Sequence, residues 1–106
     1  MIKPRGILFD LDGVIFQGNV LIPGSKDILR GLRDARIPYR FITNTTRMTK
    51  NNLVNILGDM GLAVDPSEIF AAPHAAVEYC KLKGYKNISL FVSNREMHED
   101  FASFQL

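Results

Sequence analysis

The sequence has 106 residues, 46% of them apolar and 23% charged, and carries a net charge of +2. That length suits one small domain able to bury roughly two-thirds of its unfolded surface, and the composition is that of an ordinary soluble globular protein. No sustained basic run occurs, which argues against a nucleic-acid face and leaves a mild preference for anionic ligands.

The opening "MIKPRGILFD" is basic at its start, but Asp10 interrupts the apolar run too early for a signal peptide. Within it, residues 6–10, "GILFD", read as a buried strand, a short apolar run without helical period. "GVIFQGNVLIPG" carries Gly13, Gly18 and Pro23-Gly24, which predicts a turn-rich loop or small hairpin. "SKDILRGLRDAR" sets Ile28, Leu29, Leu32 and Ala35 on one helical face, with Ser25 available as a cap. Pro38 ends that unit, and "YRFIT" (39–43) reads as a second strand. "TKNNLVNILGDMG" spaces Leu53, Ile56, Leu57 and Met60 as a helix, with Thr49 as N-cap and Gly61 as C-cap.

"PHAAVEYCKLKG" repeats the helical pattern and closes at Gly84. Its Cys80 is the sole cysteine, so no internal disulfide can form and a reducing compartment is expected; such a residue packs as a small core side chain. "NISLFVS" (87–93) reads as a third strand and "REMHEDFASF" as a final helix. No apolar stretch reaches the roughly 18 residues of a membrane span, so the expectation is a cytoplasmic chain without membrane contact. The order of elements predicts an α/β fold, a parallel sheet covered by helices.

The stretch "DLDGV" (10–14) holds the candidate chemistry. Asp-Gly between apolar runs is a hairpin signal, and on that pair alone a simple turn stands level with a functional site. A calcium loop starting at Asp10 fails, because its sixth and twelfth positions hold Ile15 and Leu21 where glycine and glutamate are needed. Residues i and i+2 of a strand project to one side, so Asp10 and Asp12 would converge at a strand's C-terminal end, where ligands bind in open parallel sheets. Two carboxylates there invite Mg²⁺. One could attack phosphorus while the other handles protons. A second polar strand end, Thr43, Asn44, Thr45 and Thr46, offers hydroxyl and amide groups to an oxyanion; the competing reading is ordinary helix capping.

"DLDGV" resembles motif I of the haloacid-dehalogenase-like hydrolase superfamily, and "FITNTT" (41–46) its motif II. The surrounding sequence is similar to the branch with a C2-type cap, which includes NagD-like, p-nitrophenylphosphatase-like and phospholysine phosphohistidine inorganic pyrophosphate phosphatase enzymes. The resemblance implies the N-terminal part of a Rossmann-like core over 1–72 and the beginning of a C2-type cap over 73–106, with the hinge near 71–74. It implies Asp10 as nucleophile and Mg²⁺ ligand, Asp12 as general acid/base with its backbone carbonyl as a further Mg²⁺ ligand, and Thr43 with Asn44 as phosphate-binding residues. A small phosphorylated substrate is the implied partner.

The family's motif III lysine and motif IV acids find no match. Glu96, Glu99 and Asp100 read as a solvated helix face, with Glu96 and Asp100 spaced as helix neighbours. Lys50, Lys81, Lys83 and Lys86 read as surface, and His74 and His98 as lone histidines without a ligand cluster. The expectation is therefore the N-terminal portion of a Mg²⁺-dependent phosphatase, inactive alone. The alternatives are a non-catalytic short product that binds Mg²⁺ or phosphate weakly or pairs with a partner chain, and a plain structural fragment. An incomplete sheet would expose an apolar face that seeks partners, a second copy among them.

Overall fold

The computed structural model describes residues 4–45, 47–92 and 95–105. In chain order these form β1 (Ile7–Asp10), a hairpin of β2 (Phe16–Gln17) and β3 (Val20–Leu21), α1 (Ser25–Asp34), β4 (Tyr39–Thr43), α2 (Lys50–Asp59), β5 (Ile69–Ala71) and α3 (Ala72–Lys83). Short 3-10 segments cover Pro66–Glu68 and Arg95–Phe101. The main sheet has the order β1-β4-β5, with both pairings parallel. This is the expected α/β architecture.

Register places Phe9 beside Phe41 and Phe41 beside Ile69. Phe41 is 0% exposed at the centre of this row. The Tyr39 ring meets it edge-on, with centroids 5.5 Å apart. Leu29 of α1 and Leu53 and Leu57 of α2 close the same core, with Leu11 and Ile15 from the turn after β1. The opposite face stays open: Leu8 is 67% exposed, and Ile42 and Phe70 are exposed beside it. The strand expected to be buried over 6–10 is therefore buried on one face only.

The caps explain several boundaries. Thr49 Oγ1 accepts the Asn52 N–H at 3.0 Å, and Asn52 Oδ1 accepts the Thr49 N–H at 3.0 Å. This reciprocal pair satisfies donors that a helix start leaves open, and the Thr49 side chain is fully buried. Thr49→Ala is expected to lower unfolding stability by about 1–2 kcal/mol, read as a shifted urea midpoint, while Thr49→Ser recovers most of it. At the far end α2 is capped at Met60, and Gly61 takes φ 96, the left-handed region that suits glycine.

Five expectations are corrected. Ser25 is not the cap of α1; Gly24 holds that position, and the buried Ser25 hydroxyl donates to the Ile15 carbonyl at 3.0 Å. Ile28 is exposed and Ala35 lies beyond the helix, because the inward stripe of α1 is centred on Leu29 with Leu32 beside it. The third strand is Ile69–Ala71, not 87–93: the described residues 87–92 form only an isolated bridge, Asn87 to Gln105, while Ser93 and Asn94 lie outside the described residues. The final segment is a 3-10 turn over Arg95–Phe101 that buries Met97 and Phe101, not an α-helix. Cys80 is half-buried on α3 rather than in the core. No helix among the described residues is long and apolar enough to cross a membrane.

Candidate active site

Because the strands run parallel, Asp10, Thr43 and Ala71 end β1, β4 and β5 on one sheet edge. In such sheets this carboxyl edge is the ligand side. After Asp10 the chain turns at once. The Leu11 carbonyl accepts N–H bonds from Val14, Ile15 and Phe16 at 3.2, 2.9 and 3.3 Å. Gly13 sits at φ 80 and donates to the Phe16 carbonyl at 2.7 Å. Leu11 is 1% exposed and plugs the core, while Asp10 and Asp12 on either side of it are exposed. The aspartates therefore carry no burial cost, contrary to what their apolar setting in the sequence suggests. The Asp12-Gly13 turn is also not the hairpin loop. That loop is Gly18-Asn19, between the paired Gln17 and Val20.

Asp10, Asp12, Thr43, Asn44 and Thr45 line one cleft of about 800 Å³ beneath the β2–β3 hairpin. Asp10, Thr43 and Asn44 also line an adjoining cavity of about 430 Å³, closed on its far side by Ala71, Ala72 and Ala75. All four residues singled out from the sequence thus face one continuous opening. Asp10 Oδ1 accepts the Leu11 N–H at 2.8 Å, which fixes that carboxylate's orientation. Thr43 Oγ1 accepts the Thr45 N–H at 3.3 Å, and Thr45 Oγ1 accepts the Arg47 N–H at 3.4 Å. Each hydroxyl keeps its own proton to donate towards the cleft. Thr46 lies outside the described residues.

The donors are all oxygens, on two carboxylates that face an open space. Mg²⁺ suits such a set, since it binds through one or two carboxylates and keeps waters and phosphate oxygens for the rest. No group of three or more His, Cys, Asp or Glu that could hold a metal occurs among the described residues. No lysine or arginine is among the described residues that line either cavity.

Two residues the sequence leaves without a role lie close by. His74 Nδ1 accepts the Ala71 N–H at 2.9 Å at the start of α3. His74 Nε2 stands 3.8 Å from Asp100 Oδ2. Burial lowers the His74 pKa, with Lys50 adding to the effect and Asp100 opposing it. Burial raises that of Asp100, against pulls from His74 and the Lys50 backbone N–H. Asp100 is therefore not part of a solvated face. Pro73 is the signal that could have found His74: it marks a first helical turn, which puts His74 where a side chain can reach back to the N-cap N–H.

A family model described as haloacid dehalogenase-like hydrolase matches residues 7–105. The chain belongs to the haloacid dehalogenase-like hydrolases. Within that family it is 31% identical over 101 residues to human haloacid dehalogenase-like hydrolase domain-containing protein 2, covering 95% of this chain and 38% of that protein. It is 31% identical over 86 residues to bovine phospholysine phosphohistidine inorganic pyrophosphate phosphatase, covering 77% of this chain and 32% of that one. The solved structure of NagD from E. coli K-12 shares the fold, with a TM-score of 0.85 at 24% identity over 99% of this chain and 42% of NagD. The chain thus spans well under half the length of these haloacid dehalogenase-like relatives.

Proposed function

We propose that the chain carries the nucleophile side of a Mg²⁺-dependent phosphatase that acts on a small phosphorylated substrate through an aspartyl phosphate. One observation supports this above the others: Asp10, Asp12, Thr43 and Asn44 gather on one opening at the carboxyl edge of a parallel sheet. On this reading an Asp10 oxygen attacks phosphorus and the ester bond breaks, while Asp12 gives a proton to the leaving oxygen. Asp12 then takes a proton from water, which attacks the aspartyl phosphate, frees phosphate and restores Asp10. Thr43, with Asn44 beside it, donates to the transferring oxygens. Mg²⁺ held by the Asp10 carboxylate and the Asp12 backbone carbonyl would offset charge at the transferring phosphoryl group when bound.

Without a lysine among the described residues of the cleft, that charge lacks its other cationic partner, so the 106 residues alone turn substrate over poorly or not at all. We place the passage from core to cap after residue 72, at the junction of β5 and α3. The open Leu8, Ile42 and Phe70 face favours a second reading, a binding module that pairs with a partner chain.

The test is a two-dimensional NMR titration of the labelled chain with Mg²⁺ and inorganic phosphate, run beside p-nitrophenyl phosphate turnover. Shifts confined to Asp10, Asp12, Thr43 and Asn44, and lost in Asp10→Asn, support the site. A phosphoryl group carried on Asp10 after incubation with p-nitrophenyl phosphate, read by intact mass, then separates the phosphatase reading from a binding module. Shifts elsewhere, or unchanged in Asp10→Asn, remove the assignment.

A further inference from the structure

Among the described residues, the buried side-chain atoms without a hydrogen-bond partner are His74 Nε2 and Asp100 Oδ2. Their side chains are 13% and 9% exposed, and the two atoms face each other across 3.8 Å. The other imidazole nitrogen settles the tautomer. Nδ1 accepts the Ala71 N–H at 2.9 Å, so it carries no proton, and a neutral ring holds its hydrogen on Nε2, towards Asp100.

Ala71 is not an incidental donor. It ends β5, lies in register with Thr43, and walls the cavity shared with Asp10 and Asn44. The bond to His74 is what ties off its N–H at the strand-to-helix corner. The surroundings are mixed in charge. Lys50 comes from α2, Asp100 and Glu99 from the 3-10 segment, Arg40 from β4, and Glu78 and Lys81 from α3.

We propose that His74 is an acid-released latch: a proton taken up at Nδ1 replaces the lone pair that holds the Ala71 N–H, and frees the β5–α3 corner that walls the cleft. The proton comes from solvent, and no other bond is made or broken covalently. Two N–H groups then point at each other, so the corner must open or the ring must turn. Asp100 gains a charged partner at Nε2, but burial and Lys50 oppose the charge, and the lowered His74 pKa gives the balance its direction. A folded state that resists a proton the unfolded chain accepts loses stability as pH falls through the ordinary histidine range, and keeps it above that range. Asp100, with its pKa raised, works in the opposite sense and nearer the carboxylate range. The latch stands apart from the phosphatase reading, because its readout is the corner itself.

The experiment is hydrogen exchange at the Ala71 amide of the full chain, between about pH 7.5 and about pH 5.5, which brackets the usual histidine pKa. After correction for intrinsic exchange, protection of Ala71 is expected to fall about fivefold, the loss that follows one neutral hydrogen bond. Imidazole nitrogen spectra at the higher pH are expected to show an unprotonated Nδ1. His74→Gln, whose Oε1 can still accept the N–H but does not titrate, is expected to flatten the pH response. Asp100→Asn is expected to move it to lower pH, and His98→Gln to leave it in place. Protection that stays flat in the unaltered chain overturns the latch, as does an equal fall in His74→Gln or an Nδ1–H in the neutral ring. Should His74→Gln fail to fold, the tautomer and the response of the unaltered chain still decide it.

Discussion

Phe41→Ala is expected to remove most of the chain's unfolding free energy. Phe41 sits on the middle strand of a three-stranded sheet, is 0% exposed, and has the Tyr39 and Phe9 rings 5.5 and 6.3 Å away. Truncating a buried Phe costs about 3–5 kcal/mol, the lost transfer of the ring plus the cavity it leaves. A whole domain of this size holds roughly 5–15 kcal/mol, and a sheet covered on one face belongs at the low end. Leu8→Ala is the control on the opposite face. Leu8 is 67% exposed, so its loss should fall within about 0.5 kcal/mol of the parent. Urea unfolding followed by circular dichroism reads both. A large effect at Leu8 with a small one at Phe41 would mean that the covered face has been assigned the wrong way round.

The same row of residues shows what a sequence can and cannot announce. "ILFD" and "YRFIT" were legible as strands because each is an apolar run with a clear stop, and Thr49 marked the start of α2, though not the reciprocal bond from Asn52. The third strand was not. "IFA" is three residues long and follows a 3-10 turn that Asp65 caps through the Ser67 N–H at 2.9 Å. Nothing in so short a run competes with "NISLFVS", which is longer and richer in branched residues yet finds no strand partner among the described residues. What makes Ile69–Ala71 a strand is the neighbouring edge of β4, a tertiary fact.

Asp100 departs from the helical expectation for a related reason. An α-helical period puts it with Glu96 on an outer face. The segment is 3-10, with about three residues per turn, so Asp100 falls in line with the buried Met97 instead. At the candidate site the motif residues were legible. Their exposure was not, since only the turn that buries Leu11 shows that Asp10 and Asp12 face outward.

Asp10→Asn and Asp12→Asn are expected to fail at different steps, and the difference is the sharpest test of the proposed chemistry. Removing the nucleophile ends covalent transfer, and losses on the order of 10⁴–10⁶ in kcat are typical for such a group. Removing a general acid/base costs about 10²–10⁴, and here the cost depends on the step. With p-nitrophenyl phosphate the leaving phenolate needs little help from a proton, so Asp12→Asn should still phosphorylate Asp10. Hydrolysis of that intermediate needs water activated by Asp12, so the phosphorylated form should accumulate. Intact mass after an acid quench reads it directly, as one added phosphoryl group, even where turnover is too slow to follow. The expected pattern is trapped phosphate in Asp12→Asn and none in Asp10→Asn. Phosphate that persists in Asp10→Asn, or maps to another residue, would reassign the nucleophile. Equal collapse of both variants without any trapped species would mean that the two carboxylates act together as a binding site rather than in sequence.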